Sequence, residues 1–493
     1  MGFTGKQLTS IAAVTLLIGI AWVWKLNQVM KATPPAVLSV SPHRWTEEEI
    51  RDTYERIKSS PVDWTQQLPP KLNRRYVITG GSGGVGGEIV LHLLARGEPP
   101  ESIRIVDFRK PDRSDMMTGP ATEVDFAQAD ISSAAATTAA FDNPWPPSVA
   151  KLPLTVFHTA AIIAASERSM RTYERIKRVN VDGALNVLNA AKAAGASVFI
   201  STSSASVNYR PVEFWGNPFR QYPKELWQAF DESDFDKPLR AHSQYFSNYA
   251  HSKAVAERLI CEANTPKLRT GAIRPANGIY GSSRGDQVVG VCLRAGTFPT
   301  WMPNVVQNFV SGGHVSLAHL LFEAALVRGG DEMPGCAGRP FVIKDAGAPP
   351  MFEDMYGLLE RTVVTPHIKV TYLQPGFMLA FAYVVELFDL ASRMLVLEWI
   401  VPRPKGDLAK LQPAVFSACA HLIASDALAR RSVDEGGLGY RPIHDTLEGM
   451  CQQVIEWNAE QELLGPRPIP QGVMDTVVRD IKNVGTMPAA VAG

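Results

Sequence analysis

The period of the apolar positions changes several times along this chain. Residues 8–26 (LTSIAAVTLLIGIAWVWKL) are apolar almost without interruption, about the length one helix needs to cross a bilayer. Trp22 and Trp24 stand at the end of this run, where aromatic rings favour a membrane boundary. Residues 32–70 are punctuated by Pro34, Pro35, Pro42, Pro61, Pro69 and Pro70, which predicts a linker. One polar helix is expected within it at 46–58, with Thr46 as its cap and Glu49 three residues on. From Arg75, short β-rich runs alternate with stretches of helical spacing, the pattern of a parallel sheet with crossover helices. Strands are predicted at 76–78, 103–106, 123–126, 154–161, 197–200 and 271–275. Residues 375–385 are apolar again, Glu386 and Asp389 interrupt them, and 395–401 resume the character. This last region is a poor spanning helix. It fits an amphipathic hairpin lying in a membrane interface or roofing a pocket, or a buried helix pair.

The first strand leads into Gly80-Gly81-Ser82-Gly83-Gly84-Val85-Gly86-Gly87, and helical spacing begins at Glu88. Strand, glycine turn and helix together form the context of a dinucleotide site. Gly80 permits the tight turn, Gly83 lets backbone approach a pyrophosphate, and Gly86 lets the helix pack close to the strand. The free N–H groups opening the helix then face the anion. Asp107 ends the second strand, 21 residues after Gly86, where a carboxylate can hold both ribose hydroxyls of NAD and repel the extra phosphate of NADP. Arg109 and Lys110 follow closely, so NADP stays the second choice. Asp130 is placed either against the adenine or as the cap of the next turn. The small residues after the fourth strand, Ala160 among them, let a cofactor lie against the sheet. His158, on that strand, reads as a packed or hydrogen-bonded residue rather than a base.

Composition narrows the classes. The 493 residues carry 49 basic and 49 acidic side chains and are 45% hydrophobic. A full core is affordable in such a chain, and no basic excess points to nucleic acid. The five cysteines, at 261, 292, 336, 419 and 451, are scattered, with no spacing that suggests a metal site. Lys25, Lys31 and Arg44 follow the first apolar run, and Lys6 precedes it. That bias favours a retained anchor with the catalytic body on the cytosolic side. A cleaved signal or a buried helix are the other readings of the run.

Tyr249 and Lys253, in Tyr-Ala-His-Ser-Lys, stand at i and i+4 on one helix face. A nearby ammonium favours phenolate, and such a tyrosine can take a proton from an alcohol while hydride leaves the same carbon. A serine at a neighbouring strand end can hold the same oxygen. The spacing alone is weak, since Tyr54 with Lys58 and Tyr173 with Lys177 match it too. Only Tyr249 comes after the glycine turn, the acidic strand end and the serine-rich strand end, and ahead of a further strand. The hexamer Thr-Tyr-Glu-Arg-Ile-Lys that contains the other two pairs recurs without matching flanks, and is no repeat.

With these motifs in order, the chain resembles an extended short-chain dehydrogenase/reductase of the 3β-hydroxysteroid dehydrogenase and sterol-4α-carboxylate 3-dehydrogenase family. The matching stretches are TGGSGGVG at 79–86, VFHTAA at 156–161, VNVDGALNVL at 179–188, STSSASV at 201–207, YAHSK at 249–253 and RPANGIYG at 274–281. The resemblance covers about residues 72–460. It implies that Tyr249 is the catalytic base, that Lys253 lowers its pKa and binds the nicotinamide ribose, and that Ser204 orients the substrate oxygen. It implies that Asn180 supports a proton-relay water, and that Pro275 and Ile279 lie against the nicotinamide. Three departures stand out. The span between Ser204 and Tyr249 is long and carries ten aromatic residues (Tyr209, Phe214, Trp215, Phe219, Tyr222, Trp227, Phe230, Phe235, Tyr245 and Phe246), which predicts either a substrate wall, a membrane-facing flap or a locally packed insertion. Val310-Ser311-Gly312-Gly313-His314 replaces a tyrosine-containing strand of the family, and the C-terminal region is long.

The expected fold is therefore a Rossmann-type, doubly wound α/β sheet with a smaller, mostly helical C-terminal substrate domain and an N-terminal membrane helix. Divided by residue, this is an anchor (1–31), a linker with a short helix (32–71), an NAD-binding domain that includes the tyrosine and lysine (72–290), a substrate region (291–475) and a tail (476–493). The expected function is NAD-dependent oxidation of a 3β-hydroxyl on an apolar polycycle, a sterol or triterpenoid, with loss of a C4 carboxyl where one is present. No metal and no nucleic acid are expected, and the oligomeric state is left open. The expected place is the endoplasmic reticulum membrane. Three alternatives remain: a dehydrogenase/isomerase, for which no additional acid–base residue stands out; a ketone reductase of specialised metabolism; and a cofactor-binding scaffold without chemistry, against which the retained Ser204, Tyr249 and Lys253 argue.

Overall fold

A computed structural model describes residues 5–217, 219–281, 286, 288–328, 330, 332–394 and 400–465. The predicted tail, residues 466–475 of the predicted substrate region, and residues 395–399 of the last apolar run lie outside the described residues.

Seven parallel strands form the central sheet: β1 (Arg75–Thr79), β2 (Ile103–Asp107), β3 (Asp125–Gln128), β4 (Leu154–His158), β5 (Ala196–Thr202), β6 (Arg269–Pro275) and β7 (Pro340–Ile343). Their spatial order is β7-β6-β5-β4-β1-β2-β3. The strands read as continuous apolar runs because both faces of a parallel sheet are covered by crossover helices. Alternate residues divide between two cores. Tyr76, Ile78, Phe157 and Ile200 pack under helices Gly84–Ala95 and Gly312–Arg328. Val77, Val106, Val156 and Phe199 pack under helices Ala134–Asp142, Ala184–Ala193 and Asn248–Glu262. The winding reverses between β1 and β4, whose register pairs Thr79 with His158. A crevice opens at such a switch point beyond the carboxyl ends of the strands.

Two divisions drawn from the sequence change. The boundary drawn at 290 shifts, because part of the chain beyond it belongs to the sheet layer. Helix Gly312–Arg328 covers one face of the sheet, and β7 pairs with β6 from Pro340↔Ala272 to Ile343↔Pro275. The linker is not a free tether either. Its helix Glu47–Ser59 starts at the expected Thr46–Glu49 capping box, and Ile50 and Ile57 are buried beside Leu447 and Val454 of helix Thr446–Leu464. Ser41 Oγ donates to Pro349 O at 2.5 Å, and Arg44 pairs with Asp354 at 2.7 Å. Prolines had signalled only the lack of regular structure, and that is compatible with tight packing.

Trp64 from the same strap sits edge-on to His314 and His444. It fills the space over Gly313, where an added Cβ would lie 2.2 Å from its ring. That contact accounts for Gly313 in the Val310–His314 departure, and at Gly312 a Cβ would lie 3.2 Å from Glu88 Cγ. His314, Asp345 and His444 are buried together, but their polar atoms already have partners. His314 Nδ1 and Asp345 Oδ1 are 2.7 Å apart, and His314 Nε2 accepts from Ile443 N. His444 engages Ser311 Oγ at one nitrogen and Asp445 O at the other. Tyr280 and Thr446 donate to Asp345 Oδ2. The cluster is a hydrogen-bonded joint between the sheet layer and the C-terminal helices.

Candidate active site

A cavity of about 930 Å³ lies at the switch point and runs from the glycine turn into the C-terminal half. Both of its ends are built by identifiable elements.

At the first end β1 gives way to Gly80, which has a φ of +74°. A side chain here would drive a Cβ to 2.6 Å from Ala160 N, so the turn and the residues after β4 lie backbone to backbone. Gly86 is closed to substitution more severely, since its Cβ would lie 2.4 Å from Gly80 O. Gly83 is the N-cap of helix Gly84–Ala95, and no side chain caps that end. Its first N–H groups are left to whatever fills the cavity. Asp107 is buried, and its Oδ2 accepts from Ser82 N at 3.1 Å, which ties the end of β2 to the turn. Gly80, Gly83, Gly86, Asp107 and Ala160 all line the cavity. Asp130 caps the turn after β3, its Oδ1 accepting from Ser132 N at 2.9 Å, and it also lines the cavity. A cradle with no room for a Cβ, an uncapped helix start and a carboxylate at the neighbouring strand end are the donor set that a dinucleotide requires.

In the middle of the cavity stand Ser204, Tyr249 and Lys253. Ser247 caps helix Asn248–Glu262 by accepting from Ala250 N, which sets Tyr249 in its first turn. Lys253 follows one turn later, is buried, and donates through Nζ to Thr202 O at 2.7 Å at the end of β5. Ser204 stands beside Tyr249, and its hydroxyl opposes the rise of the phenol's pKa. Ser204 Oγ accepts from Ser206 N at 3.2 Å, whereas Ser203 Oγ is buried without a partner.

The electrostatics differ from the sequence argument in one respect. Burial pushes the Tyr249 phenol up to about 12, with the Ser204 hydroxyl opposing it. Burial lowers the Lys253 ammonium to about 8, with Glu257 opposing. Desolvation therefore outweighs any lowering of the tyrosine by the lysine, since the charged form of each loses its water in this apolar enclosure. His158 is no base: burial and the nearby Lys253 lower it to about 3, and Nδ1 pairs with Thr79 Oγ1 at 2.7 Å.

Asn180 stands behind the cavity wall, in a wide helical turn at Arg178–Gly183. Its Oδ1 accepts from Ile162 N at 2.8 Å, and its Nδ2 donates to Ile162 O and Ser252 Oγ, both at 3.0 Å. It fastens the loop after β4 to the tyrosine helix, one residue from Lys253. Pro275 and Ile279 line the cavity beside the tyrosine and lysine.

The second end is made from pieces with no common motif. Val291, Cys292, Phe298, Pro299, Trp301, Met302, Phe309, Phe352, Met355, Val415 and Cys419 line it. Its polar interruptions include a buried pair, Thr300 Oγ1 and Tyr356 Oη at 2.8 Å, and Gln307, whose Nε2 is held by Ala418 O and Ala420 O. Of the ten aromatics between Ser204 and Tyr249, Phe246 reaches the cavity. Most of the others pack locally: Tyr209, Phe214 and Tyr245 are buried with Phe416 and Leu422, and strand Trp227–Phe230 pairs with His421–Ala424. The insertion is a packed body, with Trp215 and Phe219 left on its surface. Asn277 and Gly278 were within reach of sequence reading, since they belong to the RPANGIYG stretch. The apolar lining after residue 290 carries no local signal.

Known proteins share the family pattern and the fold of this chain. The profile of the 3-beta hydroxysteroid dehydrogenase/isomerase family matches residues 77–373. A 3 beta-hydroxysteroid dehydrogenase/Delta 5-->4-isomerase of Mycobacterium tuberculosis is 29% identical over 302 residues, 58% of this chain and 69% of that protein. A 3beta-hydroxysteroid-dehydrogenase/decarboxylase of Arabidopsis thaliana is 27% identical over 307 residues, 61% of each chain. Among solved structures, a UDP-glucose-4-epimerase of Stenotrophomonas maltophila with bound NAD superposes with a TM-score of 0.52 at 17% identity, over 80% of this chain and all of that one. The fold is shared with such epimerases, whereas the sequence likeness runs to the steroid enzymes. The chain belongs to the 3-beta hydroxysteroid dehydrogenase/isomerase family, a family of oxidoreductases acting on hydroxyl groups.

Proposed function

We propose that this protein oxidises the 3β-hydroxyl of a sterol or triterpenoid with NAD. The observation that carries the reading is that Ser204, Tyr249 and Lys253 line one cavity together with a glycine cradle and an apolar lobe. Gly80, Gly83, Gly86 and the free amides after Gly83 would hold the pyrophosphate, Asp107 the ribose diol, and Lys253 the nicotinamide ribose. NAD, when bound, takes up the hydride and brings a positive charge beside Tyr249 that favours its phenolate. Tyr249 Oη receives the hydroxyl proton, Ser204 holds the same oxygen, and Asn180 keeps the tyrosine helix and the loop after β4 in register. The apolar lobe excludes water from the reacting carbon.

Where C4 bears a carboxyl group, the 3-ketone is a β-keto acid and loses CO2 without a further catalytic group. The plant relative is named for such a decarboxylation. Double-bond isomerisation needs a second acid–base residue. Asp286 lines the cavity, but Val288 N, Gly290 N and Gln453 Nε2 all donate to it. Those donors oppose the rise that burial gives its pKa, and they occupy its oxygens. The decarboxylating oxidation is therefore preferred.

Helix Gly5–Met30 is long and apolar enough to cross a membrane. We read it as an anchor in the endoplasmic reticulum with the catalytic body in the cytosol, on the strength of Lys25, Lys31 and Arg44. The test of the activity is NADH formation by detergent-solubilised full-length protein given 4-carboxysterols, plain 3β-hydroxysteroids or small alcohols. Turnover of 4-carboxysterols with CO2 release is expected. Activity confined to small alcohols would overturn the assignment.

A further inference from the structure

The substrate lobe is mostly apolar, and a count of hydroxyl protons singles out one of its polar interruptions. Thr300 closes strand Thr297–Thr300, which pairs in parallel with Lys369–Tyr372. Tyr356 lies on helix Phe352–Thr362, and its Oη is 2.8 Å from Thr300 Oγ1. Both residues are buried, and both line the cavity. Each hydroxyl carries one proton, and burial pushes the Tyr356 phenol up, so it keeps its own. The bond between them uses one proton of the two. Whichever oxygen donates, the other proton is unspent among the described residues. The further partner of the pair, Met302 N, is itself a donor, 3.4 Å from Thr300 Oγ1.

Regular elements fix the pair in place. Leu373 N donates to Thr300 O at 2.7 Å, and the Tyr356 ring meets Phe298 edge-on. Next along the chain, Trp301 brings a second unmatched donor. Its Nε1 is buried without a partner, its ring stacks on Phe416, and it lines the same cavity. An unmatched donor in an apolar enclosure is unfavourable. Water satisfies such a group in an open cavity, but a guest made only of hydrocarbon displaces the water and offers no acceptor in return. A guest oxygen restores the bond. That oxygen is neutral, because the cations among the described lining residues are Arg109, by the cofactor cradle, and Lys253, by the tyrosine. A carboxylate or phosphate buried against Thr300 and Tyr356 would lack a counter-charge.

We propose that Thr300 and Tyr356 read a second oxygen of the substrate, a neutral carbonyl or hydroxyl carried on the rings or side chain away from the reacting 3-hydroxyl. Ser204 and Tyr249 hold the 3-hydroxyl, and the Thr300–Tyr356 pair donates to the second oxygen. Two polar points then set the register of a polycycle that apolar walls alone would let slide. The substrate class narrows to oxygenated 3β-hydroxy polycycles. This specificity rests on the oxidation proposed above for the identity of the guest, but binding alone reads it out.

The test is calorimetry on the full-length, detergent-solubilised protein saturated with NADH, with two matched pairs of alcohols. They are 5α-androstan-3β-ol with its 17-ketone and 5α-cholestan-3β-ol with its 24-ketone. At least one ketone should bind about 10-fold more tightly than its parent, the worth of one neutral hydrogen bond. Thr300→Val/Tyr356→Phe, which removes both hydroxyls, should abolish that preference and leave the parent's Kd unchanged. Equal affinities within both pairs in the unaltered protein would overturn the proposal. So would a double variant that weakens ketone and parent alike, since the pair would then only pin strand to helix. Should the double variant not fold, the infrared band of the preferred ketone, 13C-labelled and bound to the unaltered protein, decides. It should lie at lower wavenumber than in hexane, and a band at the hexane position would overturn the proposal. With NAD in place of NADH, no oxidation of any of these alcohols would instead remove the proposed function, and the binding preference would stand alone.

Discussion

The two ends of the cavity are built in opposite ways. The cofactor end is a set of short-range solutions: a turn that needs positive φ at Gly80, a helix start left uncapped at Gly83, and an acid at the end of β2. Each is written within a few residues of chain. The substrate end is assembled from residues 246, 291–309, 352–356 and 415–419, drawn together by packing around Phe309, Phe352, Phe416 and Leu422. A backbone requirement admits few residue types, whereas an apolar wall admits many of suitable volume. One end can thus keep its chemistry while the other changes its guest.

Substitutions can test this division. Tyr249→Phe should have the largest effect. Loss of the proton acceptor should lower kcat by about 100- to 10,000-fold, with NAD binding by calorimetry unchanged. Retained turnover would remove the tyrosine from the reaction. Next is Gly86→Ala, whose Cβ would lie 2.4 Å from Gly80 O. Overpacking of order 1–3 kcal/mol there should raise the NAD KM by about 5- to 150-fold, whatever alcohol is supplied. Phe246→Ala should do the reverse: the polycycle KM rises about 10-fold for one lost aromatic wall, and the NAD KM stays constant. If it moves both constants together, the cavity is not divided as described.

The smallest expected effect is on stability. Lys253 titrates at about 8 in the folded chain against an ordinary 10.5. Between those values the unfolded chain binds more protons, so folding is increasingly favoured as pH rises through that window. The Tm advantage of the native protein over Lys253→Met should therefore grow from pH 8 to 10.5 in a thermal melt. A flat or falling difference would mean that the buried ammonium is not strained by desolvation.

Legibility in the sequence follows the same division. β1, β2, β4, β5 and β6 were visible because a strand buried on both faces leaves a short apolar run, and the capping box at Thr46 was visible because its partners are three residues apart. β7 is absent from the predicted strands, because nothing local in Pro340–Ile343 says which edge of the sheet it joins. Ser204 was singled out through the STSSASV match, and it lines the cavity with Tyr249. The inward turn of Glu386 was invisible, because its partner Arg168 lies 218 residues away.

The sequence by itself determined the glycine cradle, Asp107, and the Tyr249–Lys253 helix, since dihedral freedom and i to i+4 spacing are properties of neighbouring residues. Only the tertiary structure decided the balance of pKa values, the docking of the 32–71 strap, the composition of the apolar lobe and the pairing of Glu386 with Arg168. Desolvation and packing depend on which distant segments exclude water from a group, and the linear order of residues does not specify those segments.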